Sequence, residues 1–116
     1  MSFEDRAYAF AAAYQGVKPK GSTPTVKYMK KMQSAGKSII GKYRSYRIPI
    51  VRWVIWDRIW VLNSLTPLQQ WSNVCHEMSH ALDARRGKDK NERKAEAVER
   101  AAYEDGILHD PVTIIN

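Results

Sequence analysis

The stretch from Thr66 to Gly87 constrains the fold more than any other. Leu68, Trp71, Val74, Cys75, Met78 and Leu82 recur at three- and four-residue spacing, which places them on one helix face and demands a core on that side. Thr66 supplies an N-cap, Pro67 suits the first helical position, and Gly87 can end the helix. Off the apolar stripe the same helix carries His76–Glu77–Met78–Ser79–His80. Residues four apart share a face, so two imidazoles stand on consecutive turns, each able to offer one nitrogen to a shared cation. Glu77 reaches the same place without having to bind. The helix must bury one side and leave the other along the rim of a cleft.

Two of the three histidines of the chain fall in this motif. A chance pair of surface histidines is the simplest reading of the spacing, but the caps and the apolar stripe favour a built site. Zinc suits it, because imidazole is a good ligand and a catalytic zinc keeps one position open for water. Glu77 would act as general base, taking a proton from that water and later returning it to a leaving amine.

A third protein ligand is then required. Asn91 is a good N-cap for a closing helix over 91–105, packed through Ala95, Val98, Ala101 and Ala102. That helix places Glu92, Glu96 and Glu99 on one face. Interleaved with Arg93, Lys94 and Arg100, the same row also reads as an ordinary solvated charged surface. His109 is the remaining histidine, but it sits in a tail (106–116) with Pro111 and no regular pattern.

The front part of the chain, 1–36, reads as two helices. Ser2 caps the first, with Glu4 and Asp5 in its opening turn and Phe3, Ala7, Phe10, Ala11 and Tyr14 as its packing side. A basic loop from Gly16 to Ser22 follows. Thr23 and Pro24 open the second helix, with Val26, Met29, Met32 and Ala35 inward and a stop at Gly36. Residues 39–63 change character. Tyr43–Trp56 and Ile59–Leu62 are rich in β-branched and aromatic residues around a turn at Trp56–Asp57–Arg58, which predicts a hairpin or two adjacent strands. Pro49 cannot donate to a ladder, so its strand belongs at an edge. Trp53, Trp56 and Trp60 read mainly as core or cross-strand pairs.

At 116 residues the chain reads as a single α+β domain, 1–116. The lone Cys75 cannot form an internal disulfide and lies on the apolar stripe, which favours a core role and a reducing, cytoplasmic setting. No leader pattern is visible and no apolar run reaches spanning length, so no membrane partner is expected. The net charge of +7 is uneven: residues 1–60 hold twelve Lys/Arg against three Asp/Glu, the remainder seven against nine. A basic front half fits either a solvated surface or a nucleic-acid partner.

His76–Glu77–Met78–Ser79–His80–Ala81–Leu82–Asp83, with Asn91–Glu92–x–x–Ala95–Glu96–Ala97 behind it, resembles the glutamate-zincin (gluzincin-like) metallopeptidases. The pattern is similar to thermolysin-like enzymes, to the catalytic domain of anthrax lethal factor, and to small ImmA/IrrE-type and SprT-like proteases. The resemblance implies a minimal zincin-like fold, one Zn2+ per chain, and peptide hydrolysis with a protein or peptide substrate laid along an edge strand. It implies His76, His80 and Glu92 as metal ligands, with Glu96 or Asp83 orienting a histidine. Arg100 and Tyr103 are the possible oxyanion donors on the closing helix.

Chain pattern favours Glu92 as third ligand. Helical rise favours Glu96, because a helix running to Arg86 climbs roughly 12 Å past the metal at 1.5 Å per residue and the return must descend about as far. The rival reading is a binding protein of the same fold, docked on nucleic acid or an acidic protein, with a structural or vestigial metal site.

Overall fold

In the computed structural model, which describes residues 1–34, 37–51 and 53–109, one helix packs on a face of a three-stranded sheet and two further helices pack against that helix. Helix α1 (Phe3–Gln15) opens with a reciprocal capping box. Ser2 Oγ accepts from the Asp5 N–H at 3.0 Å, and the Asp5 carboxylate accepts from the Ser2 N–H at 3.4 Å. Ala7, Tyr8, Ala11 and Ala12 are buried, while Phe3 and Phe10 meet Trp71 edge-on at 5.5 and 5.7 Å. Tyr14, expected in the core, is exposed. The last residue of α1 reaches the core helix instead, through Gln15 Nε2 donating to Ser79 Oγ at 2.7 Å.

The second N-terminal helix expected from Thr23 onward is not formed. Strand β1 (Thr25–Met29) takes its place, followed by the short antiparallel pair β2 (Gln33–Ser34) and β3 (Lys37–Ser38). Ala35 and Gly36, expected to end that helix, lie outside the described residues. The physical reason is visible in β1 itself. Thr25, Val26 and Tyr28 have weak helix propensity and good strand propensity, and Pro24 is tolerated immediately before a strand. Val26, Met29, Met32 and Ala35 match helical spacing, but pairing of β1 to the sheet outweighs that match.

The expected hairpin forms with a different turn. Strands β4 (Gly41–Arg47) and β5 (Val54–Leu62) run antiparallel, and the chain reverses between them, closed by the Ile48 N–H donating to Trp53 O at 2.9 Å. Pro49 lies in this connection rather than in an edge strand, as its missing N–H permits. Trp56–Asp57–Arg58, expected as the turn, lies inside β5. Asp57 is held there because its carboxylate faces inward. It accepts from Arg85 Nε and a second guanidinium nitrogen at 2.7 and 2.9 Å, and from Tyr43 Oη at 2.9 Å. Of the tryptophans expected as core or cross-strand pairs, Trp56 lies across from Tyr46 in the ladder, and both it and Trp53 are exposed.

The sheet order is β1–β5–β4, with β1 parallel to β5, so β5 is central and β4 is an edge. Its inward Ile59 and Val61 are fully buried against α2 (Pro67–Arg85), whose Val74, Cys75, Met78 and Leu82 form the middle of the core. Thr66 caps α2 through the Gln69 N–H, and Gly87 follows its end at φ 73°. Helix α3 (Glu92–His109) is capped by Asn91, whose Oδ1 accepts from the Lys94 N–H at 3.0 Å. It runs past the expected end at 105 to His109, with Gly106 buried. Residues 110–116, including Pro111, lie outside the described residues. Among the described residues, no helix is long and apolar enough to cross a membrane.

Candidate metal centre

Helix α2 holds the motif rigidly, since its apolar side is sealed and Glu77 and His80 are only 6% exposed each. Helix α3 returns antiparallel beside it. The Nε2 atoms of His76 and His80 lie 2.6 and 3.3 Å from one atom, Glu92 Oε1. The imidazole centroids are 5.0 Å apart at 74°. One ligand atom from each of His76, His80 and Glu92 lies within 4.8 Å of the others. Glu77 stands beside this trio, its Oε2 3.9 Å from His76 Nε2.

Glu92 reaches the histidines even though α2 runs on to Arg85. The descent is made by the irregular segment 88–91 instead of by helix. Extended chain covers about 3.3 Å per residue against 1.5 Å in a helix, so four residues suffice and α3 can begin at the level of His80. Glu96 is exposed on the next turn.

The other residues named from the sequence fall elsewhere. Asp83 is buried and takes Lys94 Nζ at 3.0 Å instead of a histidine. Tyr103 and Arg100 are exposed on α3, outside the lining of the cleft. His109 ends α3 with its Nε2 4.0 Å from Asp105. Glu99 takes the place expected for Glu96 or Asp83: its Oε1 lies 2.6 Å from His76 Nδ1. The signal for it was present in the row Glu92–Glu96–Glu99, since seven residues bring a helix back to the same side two turns on.

The donor set fits a divalent cation. If His76 Nδ1–H donates to Glu99, Nε2 has only a lone pair, and it faces the acceptor Glu92 at 2.6 Å. Two acceptors at that separation repel unless a proton or a cation lies between them. His80 Nε2 faces the same oxygen, and burial lowers the pKa of its imidazole, which keeps it neutral and able to ligate. Burial also acts to raise the Glu92 carboxyl, but His80 and His76 more than offset it and hold the group below its ordinary range. Two imidazoles and a carboxylate are a common catalytic zinc set.

These groups form one wall of a cleft of about 510 Å3 whose other side is β4. Burial, reinforced by Glu92 and Glu99 and opposed by His76, pushes Glu77 up to about 7. That value suits a group that must both accept and donate a proton near neutrality. Gly41 lets β4 pass directly over it: a Cβ at this position would lie 3.1 Å from Glu77 Oε2. Lys42, Arg44, Arg47 and Lys88 add positive charge along the cleft. Comparison with protein-family models, curated proteins and solved structures finds no match to the chain.

Proposed function

We propose that the chain is a minimal zincin-like metallopeptidase. His76, His80 and Glu92 would hold one Zn2+, and Glu77 serves as general base and then general acid. The observation that carries this reading is the convergence of both Nε2 atoms on Glu92 Oε1, with Glu77 alongside at the foot of a cleft. A zinc ion in such a site lowers the pKa of water and polarises a carbonyl oxygen.

The protein residues do the rest. Glu99 fixes the His76 tautomer, leaving Nε2 free to ligate. Glu77 takes the proton from the attacking water and returns it to the departing amine nitrogen, so its high pKa serves both halves of the reaction. Strand β4 pairs with β5 on one side only among the described strands, so its other edge can add an extended peptide by backbone hydrogen bonding. Lys42, Arg44, Arg47 and Lys88 would favour acidic side chains in that peptide.

Metal analysis joined to peptide cleavage tests the proposal. The purified protein should carry one zinc per chain, lost on chelation and absent from His80→Ala. It should cleave quenched peptides, those with acidic residues fastest, and Glu77→Gln should retain zinc while losing turnover by roughly a hundredfold or more. Full turnover in Glu77→Gln, or no zinc in the parent protein, would refute it.

A further inference from the structure

The sheet has a second face. Along β5, Asp57, Ile59 and Val61 point to the helices, so Trp56, Arg58 and Trp60 stand on the opposite side. The register puts Tyr46 across from Trp56, Arg44 across from Arg58 and Lys42 across from Trp60 on β4, with Lys27 of β1 flanking Trp60. We infer that this outer face binds single-stranded nucleic acid, with bases stacking on Tyr46, Trp56 and Trp60 and phosphates meeting Lys27, Lys42, Arg44 and Arg58.

Charge complementarity identifies the occupant. The face presents four cations, and the one carboxylate among the described residues of its three strands, Asp57, lies on the opposite side with Arg85. Arg44 and Arg58 lie directly opposite one another, an arrangement that destabilises a strand pair unless an anion bridges it.

The aromatics make the anion a nucleic acid rather than any polyanion. Tyr46 and Trp56 are 62% and 45% exposed, unusual for rings with no function. The Trp56 and Trp60 rings are 6.3 Å apart, and the Arg58 guanidinium lies 5.5 Å over Trp56. Open sheets with exposed rings and interleaved cations take unpaired bases by stacking. A duplex keeps its base faces covered and would leave the rings unused. A lipid surface would want apolar side chains at the centre of the patch, where Arg44 and Arg58 sit. This surface meets the cleft along strand β4, where Lys42 and Arg44 line the rim, whereas Lys27, Tyr46, Trp56, Arg58 and Trp60 do not line the cleft.

Tryptophan fluorescence of the full chain, titrated with oligothymidylate, oligouridylate, duplex DNA, inorganic polyphosphate and phosphatidylserine vesicles, tests the inference. Either single strand should quench and bind at least tenfold more tightly than duplex or polyphosphate, and the two strands together tell DNA from RNA preference. Four phosphate contacts give a slope of about −3 in log K against log salt. Trp56→Ala should weaken binding roughly tenfold, and the more exposed Tyr46→Ala offers the same readout should Trp56→Ala fail to fold. Removing zinc should leave binding intact. Equal affinity for polyphosphate with no effect of either ring substitution, quenching by vesicles alone, or no binding at all would each overturn the assignment.

Discussion

Glu99 holds His76 from behind: its Oε1 lies 2.6 Å from the Nδ1 of the imidazole whose Nε2 faces Glu92. A carboxylate in this position fixes the ring and makes the ligating nitrogen more basic, and losing one commonly costs 10- to 100-fold in metal affinity. Glu99→Ala should therefore weaken zinc binding by about that factor in a chelator competition. Glu96→Ala, one turn away and exposed, should leave affinity unchanged. Equal effects of the two substitutions would mean that Glu99 is not orienting the ligand.

Glu77 gives the metal-free protein a pH signature. Its carboxyl is pushed from 4.5 up to about 7, mainly by burial. A carboxyl whose folded value is raised holds its proton more tightly in the fold, so the unfolded chain binds fewer protons through the interval. Stability then falls as pH rises from about 4.5 to about 7 and stays lower above it. Each unit is worth about 1.4 kcal/mol, so the loss is somewhat more than about 3 kcal/mol. Chelator-treated Glu77→Gln should melt above the chelator-treated parent at pH 8 and close to it at pH 5. A pH-independent difference between the two would show that Glu77 is not desolvated.

Asp57 and Arg85 join the sheet to the core helix. Their side chains are 7% and 13% exposed, and the guanidinium also donates to Tyr8 Oη and Lys20 O at 3.0 and 2.8 Å. Asp57→Asn leaves a largely buried cation without its counter-charge, and breaking such a pair from one side costs about 3 kcal/mol or more. Urea unfolding should shift by that amount. A change below about 1 kcal/mol would mean that the carbonyl acceptors alone satisfy Arg85.

The parts of this fold set by local chemistry were readable in the chain. Ser2, Thr66 and Asn91 cap helices where their side chains predict, and the stripe Val74–Cys75–Met78–Leu82 is the core. What depended on distant partners was not. Val26 and Met29 match a helix as well as a strand, and only pairing to Arg58–Leu62 decides between them. Asp57 looks like a turn residue until Arg85 is placed beside it. His76 and His80 came from spacing alone. The fit of Glu92 needed the path of segment 88–91, which carries no periodic signal.

Gly41 is where edge strand and chemistry meet. Its φ is not in the left-handed region, so alanine fits the backbone without strain, but the added Cβ would stand 3.1 Å from Glu77 Oε2 and 3.4 Å from its Cγ. Glu77 would have to give by a few tenths of an ångström within a buried site that has little slack. Small displacements of a reacting group carry large penalties in rate, whereas zinc affinity rests on His76, His80 and Glu92 and should not change. Gly41→Ala should therefore keep its metal, keep or slightly raise its melting temperature as glycine replacement in a compatible conformation does, and lose roughly tenfold in kcat. Zinc titration, thermal melting and peptide hydrolysis on the same preparation separate these effects. Parental kcat in that variant would show that the contact between β4 and Glu77 does not govern the position of the base.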